Sequence, residues 1–554
     1  MMNVKDVKRL EEILKVFAQR GFSFYLKKSR LNRFLSITNK IRCRFSKECK
    51  CEEGSLPVKF RESLEELGPT FVKLGQLLSV RPDFIPYEYC NELRKLQDAV
   101  PQFPYSQVKS IIKEEFGRPI NQIFSYFNEN PLASASIAQV HEAKLKDGKK
   151  VAVKVQRPSV SKTIEEDIHL LRWAASFIEK HWEASRIFRP QKLVEEFADW
   201  TERELDFRNE AKSMSEIRND MKSNRSIVIP NVYWETTGKR VLTMDLIEGV
   251  KIYDEDGLKK LGVSKKEIAI RGAEAMFQQS MVYGLFHADP HPGNLLALRG
   301  NKIAFLDFGI VGRLTPHARR KMLLVIKNML DEDFEKAIDH MMDFGTVSED
   351  SEVKEYRRQL YIIFSSWYGS TLSQNSLSQT IFKGINQSVH YKVYFPVDLV
   401  LYAKALVTIE SVGMMLYPGF DISVHAKPFM QSIAKKQLSP VKSLRNFAKN
   451  SIEYSHLIEN IPIYADRLIK KLEQPEHKIK INVDEFIQMK DEVHQMNKMR
   501  TFGVIIASLI LSSAILLYLE GITKVFGVSF GLIFLYVAII LSLFMIRIML
   551  LKMK

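Results

Sequence analysis

The sequence predicts an α+β fold of two lobes, with a helical N-terminal extension before them and a transmembrane helical hairpin after them. Three observations lead to this fold class. Short β-type runs, among them HEAKL, KKVAVKVQ and RVLTMDLIEG, are concentrated in one part of the chain and alternate with longer helical patterns. Apolar residues recur at helical spacing on both sides of that part. Two long uncharged runs lie near the C-terminus.

These patterns divide the chain into four regions. We expect a helical N-terminal extension over residues 1–125, an α+β lobe over 126–250, a helical lobe and tail over 251–500, and a two-helix anchor over 501–554. Within the third region, residues 284–312 are predicted to be rich in loops. A chain of 554 residues is too long for one compact core, so several units are expected.

The composition indicates a folded protein with a basic surface. Hydrophobic residues make up 46% of the chain and charged residues 26%, which is typical of globular proteins rather than disordered ones. The formal net charge of +16 predicts a partner or surface of opposite sign, either nucleic acid or an anionic membrane. Because of the C-terminal runs we expect anionic membrane lipids as partners, and no nucleic acid.

The cysteines do not form a disulfide framework, because four in a chain of this length are too few. Cys43, Cys49 and Cys51 lie close together, but C-x5-C-x-C matches no common zinc spacing and no histidine stands nearby. We interpret them as reduced thiols beside a basic segment, with a metal site as the less favoured alternative.

The two C-terminal runs, Phe502–Leu519 and Val525–Ile546, carry no charge and are each about long enough to cross a ~30 Å hydrocarbon core. The short connection EGITK predicts a hairpin. Basic residues such as Arg500 and Arg547 flank both outer ends, which predicts that those ends and the preceding domains lie on the cytoplasmic side of the membrane. The alternative is a buried hydrophobic hairpin inside a soluble domain.

A lysine in the middle of a β-branched run is the first feature of the sequence that indicates a binding or catalytic site. In KKVAVKVQ, Lys154 occupies a strand that would normally exclude a charge without a partner. The run resembles the V-A-I-K strand of protein kinases, whose lysine holds the α- and β-phosphates of ATP. Alone this signal is weak, because similar runs occur on many edge strands.

A second segment supplies the groups that such a lysine needs. GLFHADPHPGNLL holds His287, Asp289 and Asn294 at the spacing of the kinase catalytic loop, and a D-F-G triplet begins at Asp307, 18 residues after Asp289. Phosphoryl transfer requires oxygen donors that hold Mg²⁺ on the phosphates and a carboxylate that faces the nucleophile. We therefore predict ATP or ADP with Mg²⁺ as cofactors, Asn294 and Asp307 as metal ligands, and Asp289 as the base or orienting group.

The same loop also fits an H-x-D-x-H transition-metal cluster of His287, Asp289 and His291. This reading leaves Lys154 and the D-F-G triplet without a role, so we disfavour it.

Two features depart from the protein-kinase pattern. No G-x-G-x-x-G precedes Lys154; the corresponding segment PLASASIAQVH is rich in small residues, which still permit a close loop. After the D-F-G triplet the sequence turns almost at once into a helical pattern, and no A-P-E follows. The absence of a peptide platform argues against ordinary phosphorylation of proteins.

These motifs together resemble the UbiB (AarF-type) family of atypical protein-kinase-like ATPases, over roughly residues 60–420. The family's K-x-G-Q motif appears as Lys73-Leu74-Gly75-Gln76, its alanine-rich loop as Ala133-Ser134-Ala135-Ser136, and its E-x-D motif as Glu204-Leu205-Asp206. HADPHPGN and D-F-G complete the match. The chain has Ser134 where alanine is common and Ala138 where glycine is common.

The resemblance implies roles that the residues alone leave open. The apolar spacing of the KLGQ segment favours simple core packing, whereas in the family this helix covers the nucleotide cleft. The resemblance assigns Lys73 and Gln76 to the catalytic set with Lys154 and Asp289. It assigns the cofactor-binding set as follows: Ala133, Ser134, Ala135, Ser136, Lys154, Glu204, Asp206 and Glu210, the last as the partner of Lys154.

The resemblance also implies a function. We expect a membrane-anchored, kinase-like ATPase that supports the biosynthesis of an isoprenoid quinone (ubiquinone or menaquinone) or lipid homeostasis. Its expected partners are quinone-biosynthesis enzymes or lipid intermediates. Two alternatives stay open: a true phosphotransferase that acts on a protein or small molecule, and a nucleotide-gated scaffold of a biosynthetic complex.

Overall fold

The structure is a computed structural model of the 554-residue chain. It describes residues 4–28, 56–96 with gaps at 80, 82, 83 and 94, 101–182, 189–347, 350–367 and 376–425, together with short pieces between 507 and 542. The chain forms two compact units, Met1–Ser439 and Pro440–Lys554.

The first unit opens with amphipathic helices that pack on one another through their apolar faces. They are α1 Val4–Phe17, α2 Ser23–Lys28, α3 Leu56–Leu67, α4 Pro69–Leu78 and α5 Tyr87–Leu93. Gly21, at φ +101°, produces a kink between α1 and α2 that residues with a Cβ rarely adopt. Helix α4 contains the KLGQ segment and contacts α3 and α5.

The N-terminal lobe is built on an antiparallel sheet of five strands. In the order β1-β3-β4-β6, with β2 on β3, they are β1 Phe124–Phe127, β2 Ala133–Ser134, β3 Ala138–Leu145, β4 Lys150–Gln156 and β6 Val241–Asp245. Helices α6 Tyr105–Phe116, α7 Ile120–Ile123, α8 Val160–His181, α9 Pro190–Leu205 and α10 Phe207–Met221 accompany the sheet. β4 lies between β3 and β6, so Lys154 sits in the middle of the sheet opposite Val140 and Leu242.

The second lobe is mainly helical around two small sheets. One sheet has the order β5-β10-β9-β7, and β8 pairs with β11. These strands are β5 Ile227–Val228, β7 Val250–Lys251, β8 Leu285–His287, β9 Leu295–Leu298, β10 Lys302–Phe305 and β11 Val311–Arg313. The predicted loop-rich segment 284–312 thus contains four short strands. Runs of three or four residues are too short to show an alternating pattern, so the prediction missed them.

The helices of this lobe include one long apolar helix, Val397–Leu416 (α17), which is mostly buried. In chain order they are α11 Glu255–Leu261, α12 Lys265–Phe277, α13 Pro316–Leu330, α14 Phe334–Met342, α15 Val353–Ser365, α16 Leu377–Gln387 and α17 Val397–Leu416, with a strand pair β12 Thr346–Val347 and β13 Val393–Tyr394. α17 packs against α12 and α16. The predicted α+β fold of two lobes with an N-terminal helical extension is confirmed.

α17 is, among the residues that the structure describes, the one helix long and apolar enough to cross a membrane. Most of it is buried within the first unit, as expected of a core helix. Of the predicted spans, residues 507–513, 532–533 and 535–542 are helical. Residues around the start of the second span instead form a strand pair, β14 Lys524–Val525 with β15 Val528–Ser529. The remaining residues of both spans lie outside the described ranges, so the hairpin stays a prediction.

Candidate active site

A buried ion pair links the central strand of the N-terminal lobe to helix α10. The Nζ atom of Lys154 lies 2.9 and 3.1 Å from the two carboxylate oxygens of Glu210, and both residues are less than 10% exposed. Burying either charge alone would be costly, so each fixes the position of the other. Burial alone would lower the pKa of Lys154, but the carboxylates of Asp307 and Glu210 outweigh burial and raise it. The lysine is therefore a permanent cation.

Asp307, which belongs to the D-F-G segment of the second lobe, lies next to this ion pair. Its Oδ1 atom lies 3.6 Å from Lys154 Nζ and accepts a hydrogen bond from the Gly309 amide at 3.1 Å. The residue has φ +52°, a left-handed conformation that is uncommon for aspartate and is typical of functional sites. Burial would raise the pKa of Asp307, but Lys154 and the Gly309 amide lower it to about 2. With half of its side chain exposed, Asp307 presents a permanent anion to the cleft.

His287 ties the catalytic loop to the D-F-G segment. It is fully buried and packs on Phe308, with ring centroids 5.0 Å apart. Burial lowers its pKa, so the ring is neutral. Its Nδ1 atom accepts from the Asp289 amide at 3.1 Å, and its Nε2 atom donates to the Leu306 carbonyl at 2.8 Å. Both ring nitrogens are thus used for structure, which leaves neither to ligate a metal.

Asn294 continues the same network. Its side-chain amide donates to the Asp289 carbonyl at 3.2 Å, and its own carbonyl accepts from the Leu306 amide at 2.8 Å. The side-chain oxygen of Asn294 and the carboxylate of Asp307 line one cleft and are hard donors of the kind that Mg²⁺ prefers.

The donor set fits magnesium held jointly with phosphate oxygens. Within the described part of the chain, no group of three or more His, Cys, Asp or Glu residues is arranged to hold a metal ion. The H-x-D-x-H alternative therefore has no support, whereas Mg²⁺ commonly takes only one or two protein ligands beside substrate phosphates.

Sequence reasoning missed Lys404, which contacts the catalytic loop from helix α17. Its Nζ atom lies 3.2 Å from Asp289 Oδ1. Burial would raise the pKa of Asp289, but the charge of Lys404 outweighs burial and lowers it. The feature of the sequence that could have indicated Lys404 is a lone lysine in the apolar run VDLVLYAKALVTIE.

The KLGQ helix faces the cleft rather than serving only as core. Lys73 is 5% exposed, and its Nζ atom lies 2.5 Å from Glu204 Oε1 and 5.9 Å from the centre of the Trp200 ring. Gln76 lines the cleft with them. Gly75 lets the helix pack closely, since a Cβ there would overlap Leu64 and Leu96.

The E-x-D motif divides its two acids between different tasks. Glu204 pairs with Lys73, and its second carboxylate oxygen is buried without a hydrogen-bond partner within the described residues. Asp206 instead caps helix α10 by accepting from the Arg208 amide at 3.1 Å, and it pairs with the Arg208 side chain at 2.6 Å. Asp206 thus positions the helix that carries Glu210.

The alanine-rich segment forms a tight turn between β2 and β3. The Ala135 amide donates to the Ala138 carbonyl at 2.7 Å. Arg157 donates to the Ala135 carbonyl at 3.0 Å and to the Ser134 hydroxyl at 2.8 Å. The serine that departs from the family pattern therefore adds a restraint on this turn. The Ser136 hydroxyl is buried without a hydrogen-bond partner in the described ranges.

The cleft has a volume of about 1030 Å³, and both charged and apolar side chains line it. Its charged and polar lining residues include Lys73, Gln76, Glu204, Asp289, Asn294, Asp307 and Lys404. Its apolar lining residues include Leu77, Leu93, Leu96, Trp200, Ile310, Phe382, Val397, Leu401 and Val407. Such a cleft can hold charged phosphates at the catalytic loop beside an apolar group.

Comparison with known proteins gives two family matches in this chain. Residues 95–341 match the ABC1 atypical kinase-like domain, and residues 360–421 match the UbiB helical domain. "Probable protein kinase UbiB" of Marinobacter nauticus is 34% identical over 404 residues, which cover 72% of this chain and 74% of that protein. "Protein ACTIVITY OF BC1 COMPLEX KINASE 7, chloroplastic" of Arabidopsis thaliana is 32% identical over 436 residues, 76% of this chain and 62% of that protein.

A solved structure, the complex of Rv3197 with erythromycin from Mycobacterium tuberculosis, is 22% identical and has a TM-score of 0.46. The match covers 68% of this chain and 95% of that one. Helix α17, which carries Lys404, lies within the segment that matches the UbiB helical domain.

Proposed function

The chain belongs to the UbiB family of ABC1 atypical kinase-like proteins, and from this premise we propose that it is a membrane-anchored, Mg²⁺-dependent ATPase that supports isoprenoid quinone biosynthesis. The observation that carries the proposal is the meeting of three charged groups from different elements. The ammonium of Lys154 on β4 lies 2.9 Å from the carboxylate of Glu210 on α10 and 3.6 Å from that of Asp307 in the D-F-G segment.

The charged groups at this site each have a role in the proposed ATP hydrolysis. Lys154 binds the α- and β-phosphates and is oriented by Glu210. Asp307 and Asn294 would hold Mg²⁺, which would neutralise charge on the phosphate oxygens. Asp289 orients the attacking water and takes its proton. The water oxygen bonds to the γ-phosphorus while the bridging oxygen leaves with ADP.

The elements around the cleft favour water or a small molecule over a peptide as phosphate acceptor. Helix α4 lines the cleft through Lys73 and Gln76. After the D-F-G triplet, β11 pairs with β8 and α13 begins at Pro316, so only residues 310–315 separate the triplet from the helix. A protein kinase places a long activation segment there.

The membrane part of the proposal rests on the C-terminal runs. On the described pieces of the predicted spans, large apolar side chains are exposed, among them Leu511, Tyr536 and Ile540 at more than 60%. An exposed apolar surface of this kind suits contact with lipid. The net charge of +16 suits anionic headgroups on the cytoplasmic face of a bacterial inner membrane.

The quinone role is what membership of the UbiB family implies. On this proposal ATP turnover presents hydrophobic lipid intermediates to quinone-biosynthesis enzymes, which are the expected protein partners. The apolar residues that line the cleft together with the catalytic loop agree with an acceptor or effector that is partly apolar.

A hydrolysis assay tests the ATPase. Purified full-length protein would be assayed for phosphate release with and without liposomes that contain cardiolipin, beside Asp307→Asn. We expect Mg²⁺-dependent hydrolysis that the liposomes stimulate and that Asp307→Asn loses, since this change removes a metal-binding carboxylate. Unchanged hydrolysis in Asp307→Asn would overturn the assignment. Transfer of the γ-phosphate to a protein or small molecule would instead support the phosphotransferase, which the intact Asp289 loop favours.

A further inference from the structure

Lys404 places a cation at the catalytic loop, and it comes from a helix that none of the protein-kinase motifs includes. It belongs to α17, its side chain is 18% exposed, and its Nζ atom lies 3.2 Å from Asp289 Oδ1. α17 is otherwise apolar around it, with Leu401 and Val407 lining the same cleft. A lysine in such a run loses solvation, so its retention needs a partner or a ligand.

The position of Lys404 on α17 is fixed by the helix rather than by a loop. Val397, Leu401, Lys404, Thr408 and Ser411 recur at spacings of three and four residues and all line the cleft. The opposite faces of α17 pack against α12 and α16. A charged group on a rigid, packed helix is delivered to the site with little freedom of position.

Three other lysines close to the site each lie nearest to a glutamate of the N-terminal part of the chain. Lys154 lies 2.9 Å from Glu210, and Lys73 lies 2.5 Å from Glu204. Lys95, also at the cleft, lies 2.6 Å from Glu92. Lys404 alone among these four is paired with the carboxylate that faces the nucleophile.

Phosphoryl transfer gains most from positive charge at the oxygens of the transferred group. We propose that Lys404 is a catalytic residue that binds the terminal phosphate of ATP, leaving the Asp289 carboxylate when the nucleotide enters. This exchange has two consequences. The Asp289 carboxylate is released to orient the water, and the ammonium of Lys404 lies next to the phosphate oxygens on which negative charge develops. The inference rests on the proposed ATPase function and adds the group that distinguishes ATP from ADP.

Lys404→Met tests this role, because methionine keeps the apolar stem and removes the charge. We expect the affinity for a non-hydrolysable ATP analogue to fall about tenfold, the loss typical of one charged hydrogen bond, while ADP affinity is unchanged. The rate of hydrolysis should fall about 100-fold. Lys404→Arg, which keeps the charge, should retain most of the analogue affinity.

Matched variants separate this role from a merely structural one. Lys327→Met removes an exposed ion pair with Asp331 at 2.7 Å and should change neither affinity nor rate. In an Asp289→Asn background, Lys404→Met should still weaken analogue binding about tenfold, because the lysine contacts the phosphate itself.

Three outcomes would overturn the inference: equal losses of ADP and analogue affinity, no further loss in the Asp289→Asn background, or wild-type hydrolysis by Lys404→Met. If Asp307→Asn is inactive while Lys404→Met is fully active, the ATPase stands and only the role of Lys404 fails. If Asp307→Asn is also fully active, the proposed function itself fails.

Discussion

At the scale of single residues, the site is a set of charges that are each held by a partner of opposite sign. Lys154 is matched by Glu210 and Asp307, Lys73 by Glu204, and Asp289 by Lys404. Buried pairs of this kind contribute little net stability, but breaking one leaves an uncompensated charge. On the proposed function, their value is the fixed position that they give to the groups assigned to phosphate and metal.

The pair of Lys154 and Glu210 gives a direct prediction. Glu210→Gln should lower the free energy of unfolding by about 3 kcal/mol, because it leaves the buried ammonium with Asp307 as its one remaining close carboxylate. Lys154→Met combined with Glu210→Leu should recover most of that stability without recovering ATP binding. Urea denaturation and nucleotide titration measure the two effects. If Glu210→Gln is as stable as wild type, the ion pair of Lys154 and Glu210 is not desolvated.

A second buried acid has no role in the chemistry. Glu410 of α17 is 1% exposed and accepts hydrogen bonds from the hydroxyls of Ser376 and Ser378. Burial raises its pKa above the ordinary glutamate range, and the nearby charge of Asp421 adds to the shift. The carboxyl group therefore stabilises the fold while protonated, and this contribution is lost as the pH rises through the raised pKa.

Glu410→Gln should remove this pH dependence, since the glutamine carbonyl still accepts both hydroxyls and cannot ionise. We expect the melting temperature of the variant, relative to wild type, to rise between pH 5 and pH 8.5. Glu335→Gln, which removes the same charge from the exposed face of α14, should show no such trend. A difference between Glu410→Gln and wild type that is constant with pH would contradict the expectation.

At the scale of elements, the KLGQ helix depends on one glycine. A Cβ at Gly75 would overlap the terminal methyl groups of Leu64 and Leu96, so these two buried side chains would have to shift to accommodate alanine. This packing turns Lys73 and Gln76 towards the cleft.

Gly75→Ala should lower the free energy of unfolding of the extension by about 1 to 3 kcal/mol through overpacking, despite the better helix propensity of alanine. Gly272→Ala on α12 is the matched control, because a Cβ there meets Ile303 and Ile409 at ordinary contact distances of 3.4 to 3.5 Å. Hydrogen exchange of residues 69–78 reports the effect. Equal protection of α4 in Gly75→Ala and wild type would show that the helix accommodates the methyl group.

The elements also show what the sequence could and could not predict. The lysine strand, the catalytic loop and the D-F-G triplet were recognisable because their spacing is local to short segments. The different uses of the two E-x-D acids are seen only in the structure, where Glu204 pairs with Lys73 and Asp206 caps α10. Lys404 was not predicted, because the contact spans more than a hundred residues and depends on how α17 packs.

At the scale of the whole molecule, two strongly apolar parts of the chain differ in how far they are buried. α17 has the length and hydropathy of a membrane span, yet it is mostly buried and carries Lys404 and Glu410. The predicted spans after residue 501 expose large apolar side chains wherever the structure describes them. The proposal of an anchor therefore concerns the second unit alone, whereas the ATP site and its helical lobe belong to the first.

The central claim is that ATP turnover at Asp307 supports quinone synthesis at a membrane. The most direct measurement is the quinone profile of a strain that lacks the gene and is complemented with wild type, Asp307→Asn or the surface control Asp331→Asn, at equal amounts of membrane-bound protein. We predict that wild type and Asp331→Asn restore the quinone, whereas Asp307→Asn leaves it depleted. Restoration of normal quinone levels by Asp307→Asn would contradict the claim.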